Sequence, residues 1–173
     1  MSKEPFEAEF NAKEVTKFLN ESAKKLSDLR PLMREAAQGL KFVVDQNFET
    51  EGTFTGDKWQ AWSDKYKKWR LKKKKGQGGI LSFEGNLKRD IRSGYDNTTA
   101  FVASGKDYAA IHNFGFKGIV TKERENKRKG TKTRFSCNMN TPKREFMRIN
   151  ETEQQNLIED LQEFLEQELR KLK

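Results

Sequence analysis

Apolar residues in this chain gather into stripes of helical period near its two ends. Between the stripes lie two runs of cations that no interior can hold. At the far end Leu157, Ile158, Leu161, Phe164, Leu165, Leu169 and Leu172 recur at steps of three and four, which puts them on one helix face. Asn150 stands where a capping side chain is needed, with Glu153 at the capping-box position. Acids come early and Arg170, Lys171 and Lys173 come last, as the helix dipole favours. A helix is expected over 150–173. Leu32, Met33, Ala36, Ala37, Leu40, Val43, Val44 and Phe48 keep the same rhythm over 31–49, with Pro31 suited to the first turn. Val15, Phe18, Leu19, Ser22, Leu26 and Leu29 make a third stripe over 11–29, opened by Asn11 and Glu14 as cap and box. These first two helices form either a hairpin or one kinked rod.

The stripes have little else to bury against. Leu, Ile, Val and Phe supply 37 of the 173 residues, close to the composition at which chains stop folding alone. The 13 Phe and three Trp argue against disorder, because each aromatic ring buries a large area. The expectation is a single domain over 1–173 with a modest core and charged elements that lean on neighbouring subunits.

The formal charge of +9 is unevenly spread. Residues 64–75 carry eight cations against one acid, and residues 117–134 carry eight against two. Residues 150–173 hold seven acids against three bases. A basic run beside Trp59, Trp62, Tyr66 and Trp69 has the makings of a nucleic-acid groove, since cations meet phosphates while rings stack on bases. It serves equally as a solvated face or a dock for an acidic protein. The cluster Lys72–Lys75 before Gly76-Gln77-Gly78-Gly79 reads as loop, so 64–79 is taken as a basic, glycine-containing mobile loop.

Residues 80–149 read as the sheet part. Gly52 to Gly56 makes a loop, and Trp59 and Trp62 flank a turn that packs back on the sheet. Ile80 begins a short buried segment, with a turn at Gly85 and a short helix after it. Residues 92–96 and 99–104 have strand character around Asp96-Asn97, predicting a hairpin. Asp107 to Asn113 should be a short helix capped by Asp107 and stopped at Gly115. Residues 117–136 form either a long charged hairpin or a loop that orders on contact, and Glu145 to Ile149 reads as a return strand. The fold class is α+β: N-terminal helices and a long C-terminal helix packed on a small antiparallel sheet.

Several functions are excluded on chemical grounds. No run approaches the roughly 20 apolar residues of a bilayer span, so no membrane association is expected. The opening Met1-Ser2-Lys3-Glu4-Pro5-Phe6 has no apolar h-region for a secretory signal. Cys137 is the one cysteine and His112 the one histidine, too few for a structural zinc site. His112 lacks an orienting carboxylate on its own helix face, since Asp107 lies five residues back. No glycine-rich phosphate loop precedes a helix in the required pattern. Neither enzymatic activity nor a cofactor is expected.

Five blocks in order carry a resemblance. They are Phe48 with Thr50-Glu51-Gly52; Gly56-Asp57-Lys58-Trp59-Gln60-Ala61-Trp62-Ser63; Ile80-Leu81 with Gly85-Asn86-Leu87; Tyr108 to Gly115; and Pro142-Lys143-Arg144-Glu145-Phe146-Met147 before the last helix. Together, over about 40–170, they resemble the phage virion morphogenesis family, the tail completion proteins of Mu-like and P2-like phages and prophages. The resemblance implies a non-enzymatic structural protein at the head–tail junction, assembled as a homo-oligomeric ring, often hexameric. Phage neck and tail proteins would be its partners, in the host cytoplasm during assembly and then in the virion. The matching positions, Trp59, Leu81, Gly85, Leu87, Tyr108, His112, Gly115, Arg144 and Phe146, are structural rather than catalytic. Trp62, Trp69 and the basic stretch 117–134 depart from the pattern. Lys67, Lys68, Arg70, Lys72, Lys73, Lys74, Lys75, Lys127, Arg128, Lys129, Lys132 and Arg134 are candidate contacts to DNA or a partner. The alternative reading is a nucleic-acid-binding module built on 64–75 and 117–134.

Overall fold

A computed structural model describes residues 17, 20–24, 27–73, 78–126 and 131–171. Helix α1, Arg30–Glu49, has Pro31 in its first turn and buries Ala36, Ala37, Val43, Val44, Asn47 and Phe48 along one face. It stops where Glu51 and Gly52 take positive φ, and the Gly52 amide donates back to the Asn47 carbonyl at 2.9 Å. Helix α2 is Asp64–Lys72, α3 Asn86–Asp90, α4 Ala109–Phe114 and α5 Glu151–Arg170. The N-cap of α5 is Asn150, whose Oδ1 accepts from the Glu153 amide at 2.8 Å. Helix α5 packs along α1 at a close approach, for a methyl group added at Gly39 would lie 2.4 Å from Leu157 Cδ1. That contact leaves every residue of α5 at least partly exposed.

The strands make two separate antiparallel ribbons. Strands β1, Arg92–Tyr95, and β2, Ala100–Ala103, pair with Arg92 opposite Ala103, and both lie against α1. Strands β3, Phe116–Asn126, and β4, Thr131–Thr141, pair from Phe116 opposite Thr141 to Asn126 opposite Thr131. The core between these parts holds Val44, Phe48, Trp59, Ile80, Leu87, Ile91, Ala109 and Phe146. Phe48 meets Trp59 edge-on at 5.7 Å and Phe146 tilted at 5.2 Å, the offset geometries that ring quadrupoles favour. Asn47, fully buried, ties the layers together. Its Nδ2 donates to the Phe146 carbonyl at 3.2 Å and the Arg148 carbonyl at 2.9 Å, and its Oδ1 accepts from Thr55 Oγ1 at 2.7 Å.

The α+β class, α1, the β1–β2 hairpin and the C-terminal helix match the sequence reading, and of the two alternatives for 117–136 the paired strands β3 and β4 fit the long hairpin. Of the 11–29 helix, residues 17, 20–24 and 27 are helical, whereas 28 and 29 are not, Leu29 standing at the N-cap position of α1; Asn11, Val15, Phe18, Leu19 and Leu26 lie outside the described residues. Four details differ. The anticipated single sheet is two ribbons. Residues 64–72 are helix rather than loop, because Ser63 Oγ caps the Tyr66 amide and the Arg70 side chain anchors the helix from within. Asp107 does not cap α4, whose N-cap position is Tyr108 without a side-chain bond. Finally, 145–149 is no strand. The Phe146 amide donates to the Arg144 carbonyl at 2.8 Å, and Asn47 takes the Phe146 and Arg148 carbonyls that a ladder would need.

Candidate functional site: a cleft of rings and guanidinium groups

Six of the nine motif positions, Leu81, Gly85, Leu87, Tyr108, His112 and Arg144, line a single open cleft of about 1020 Å³. The other three lie outside its lining. Trp59 and Phe146 are in the core, and Gly115 ends α4. The φ of 75° and ψ of 163° at Gly115 belong to a region essentially confined to glycine, and an added Cβ would stand 2.9 Å from the Lys143 amide nitrogen. That turn sends the chain from α4 into β3 and holds the Pro142–Arg144 segment beside His112.

One wall of the cleft is built around Arg70. Its spacing from Trp62 and Tyr66, together with the cap at Ser63, brings these three side chains to one side of α2. The guanidinium lies 4.1 Å from the Trp62 ring centroid and 5.2 Å from that of Phe83, and Nη2 donates to the Gly78 carbonyl at 3.1 Å. Trp69 stacks on Phe83 at 5.4 Å and on Tyr66 at 5.6 Å. Arg70 is only 1% exposed. Sequence grouped it with the solvated contact cations; in the fold it is the centre of an aromatic cage, favourable for a guanidinium because the ring faces are negative.

The opposite wall carries Arg144 and His112. The Arg144 amide donates to the His112 carbonyl at 2.9 Å, while its Nε and Nη2 both donate to the Gln60 carbonyl at 3.1 and 2.9 Å. Burial pushes the Arg144 pKa down from the usual arginine range. His112 packs edge-on against Tyr108 at 5.9 Å, and its Nδ1 is buried with no hydrogen-bond partner. Burial, helped by the neighbouring Arg144 charge, lowers the His112 pKa, so the ring is kept neutral.

Lys67, Lys68 and Lys72 stand exposed on α2 with Lys73 exposed at its C-cap, and Lys132 and Arg134 are exposed on β4, where Arg134 pairs with Glu123. Lys74, Lys75, Lys127, Arg128 and Lys129 lie outside the described residues. No group of three or more His, Cys, Asp or Glu side chains suited to a metal occurs among the described residues. No described helix is long and apolar enough to cross a membrane. The cage itself was missed in sequence, although Trp62, Tyr66, Trp69 and Arg70 follow a helical rhythm that a loop assignment for 64–79 concealed.

The model of the phage virion morphogenesis family matches residues 10–166. The chain belongs to that family. Among its relatives is the Mu-like prophage FluMu G protein 2 of Haemophilus influenzae, 31% identical over 156 residues, covering 90% of this chain and 92% of the relative. The putative capsid assembly protein G of Escherichia phage Mu is 38% identical over 87 residues, 50% of this chain and 56% of that protein. No solved structure matches the chain. The family match runs from residue 10, just before the predicted 11–29 helix, to residue 166 within α5, so it spans both walls of the cleft.

Proposed function

We propose that this member of the virion morphogenesis family is a non-enzymatic tail completion protein that works as a ring joining tails to heads. The carrying observation is α5: twenty residues with an apolar stripe, lying along α1, in which nothing is fully buried. Ile158 remains 41% exposed there, and on the β3–β4 ribbon Ile119 is 73% exposed. Apolar faces left open in the single chain are what symmetric association covers. Its partners are further copies of itself and neck and tail proteins, met in the host cytoplasm and kept at the head–tail junction. Light-scattering mass across a concentration series, alone and with purified tails, tests this reading. Ring-sized particles, or ring formation on the tail end, are expected. A strict monomer that binds no head or tail component would overturn it.

A second reading is favoured by the exposed lysines of α2, which would meet DNA phosphates inside such a ring or act as a separate nucleic-acid-binding module. Duplex binding should then fall steeply between low and physiological salt, and its absence at low salt would reject the reading.

A further inference from the structure

Arg144 presents an unusual electrostatic state. It is 7% exposed, spends Nε and Nη2 on the single carbonyl of Gln60, and has no carboxylate partner among the described residues. A buried cation without a counter-charge is costly, so Arg144 favours an anion beside it in the cleft, whose lining also includes Arg70 and Glu84. Four rings also line it: Trp62 and Phe83, which cage Arg70, and Tyr66 and Tyr108, which add surface for apolar side chains. The cleft also takes in Asn140 and Thr141, the last residues of β4, a strand bonded among the described residues to β3 alone. A strand with one neighbour accepts an extended peptide along its free edge, a mode of recognition open to protein and not to nucleic acid.

The chain itself contains a segment with this chemistry. Residues 4–10 read Glu4-Pro5-Phe6-Glu7-Ala8-Glu9-Phe10, with three carboxylates and no cation. In an extended strand Phe6, Ala8 and Phe10 share one side while Glu7 and Glu9 share the other. Pro5 confines such a strand to an edge, since it cannot donate to a ladder. We infer that the cleft is a docking site for residues 4–10 of a neighbouring copy, whose phenylalanines enter the ring wall while a carboxylate compensates Arg144. Such a contact is heterologous, the kind that closes into rings. This inference rests on the ring reading above.

The test uses a fluorescein-labelled synthetic peptide of residues 2–10 added to the full chain, read by polarisation. Saturable binding is expected. It should weaken at least tenfold with Arg144→Met in the protein, and equally with Phe6→Ser plus Phe10→Ser in the peptide. Tyr66→Ser, on the more exposed rim of the cleft, provides a second variant should Arg144→Met unfold. No binding up to millimolar peptide, or binding unchanged by the protein variants, would overturn the site. Displacement of the peptide by a ten-residue oligothymidylate, with the oligothymidylate itself sensitive to Arg144→Met, would overturn the choice of a protein segment. In the full chain, Phe6→Ser with Phe10→Ser should reduce ring-sized particles to monomer, and persistence of the ring would refute docking between copies. Should the unaltered chain be a monomer throughout, the ring reading fails by itself, and the peptide titration still decides the cleft.

Discussion

Replacing Asn47 by Ala should be among the most damaging single changes away from the cleft, although the residue is polar and lies on an otherwise apolar helix face. The substitution removes a donor from the Phe146 and Arg148 carbonyls and an acceptor from the Thr55 hydroxyl. The bonds to Phe146 and Thr55 are buried, whereas the Arg148 carbonyl is partly exposed and can take water. Two orphaned buried groups at about 1–3 kcal/mol each give a loss near 4 kcal/mol. At about 2–4 °C per kcal/mol for a chain of this size, the melting temperature should fall by roughly 8–16 °C. Urea unfolding in dilute protein, followed by far-ultraviolet circular dichroism, measures the change. Thr55→Val alone should cost about 1–3 kcal/mol by leaving Asn47 Oδ1 unsatisfied. The double variant should cost less than the sum, because the hydroxyl orphaned by Asn47→Ala is then gone, with a coupling of about 1 kcal/mol. A loss below about 1 kcal/mol for Asn47→Ala, or strict additivity, would refute the assignment of Asn47 as the tie between α1 and the segment before α5.

Phe146→Ala, at a fully buried ring, and Trp59→Ala, nearly as buried, should each cost about 3–5 kcal/mol in the same unfolding assay. Replacing Lys67, Lys68, Lys72 and Lys73 by Gln should leave stability within about 0.5 kcal/mol per site, as expected for exposed positions, while reducing duplex DNA binding at low salt. Because the folded-state pKa of His112 is depressed, the unfolded chain binds its proton more readily. The stability this residue contributes is therefore full above about pH 6.5 and is lost as pH falls through the folded value. A stability profile between pH 7.5 and 5 should slope accordingly, and His112→Gln should flatten that slope.

Helices with a clear period and a cap were legible from sequence: α1 and α5 needed only their stripes, Pro31 and Asn150. The β1–β2 hairpin followed from its turn residues, where Asp96 Oδ1 accepts from the Thr98 and Thr99 amides, each at 2.7 Å. What escaped was decided by tertiary context. The lysine-rich 64–72 segment looked too repulsive for a helix, yet its lysines are exposed and the one buried cation, Arg70, lies against the faces of Trp62 and Phe83. Residues 145–149 had strand composition, but an asparagine 99 positions away from Phe146 claims the carbonyl a ladder would have used. The cleft was legible only as scattered motif positions. Leu81, Gly85, Tyr108, His112 and Arg144 span more than sixty residues, and the fold alone brings them to one surface.

Electron microscopy of a lysate from a phage lacking this chain tests the proposed joining of tails to heads. DNA-filled heads and finished tails should lie apart, with joined particles restored when purified chain is added. Intact, infectious virions formed without the chain would contradict it.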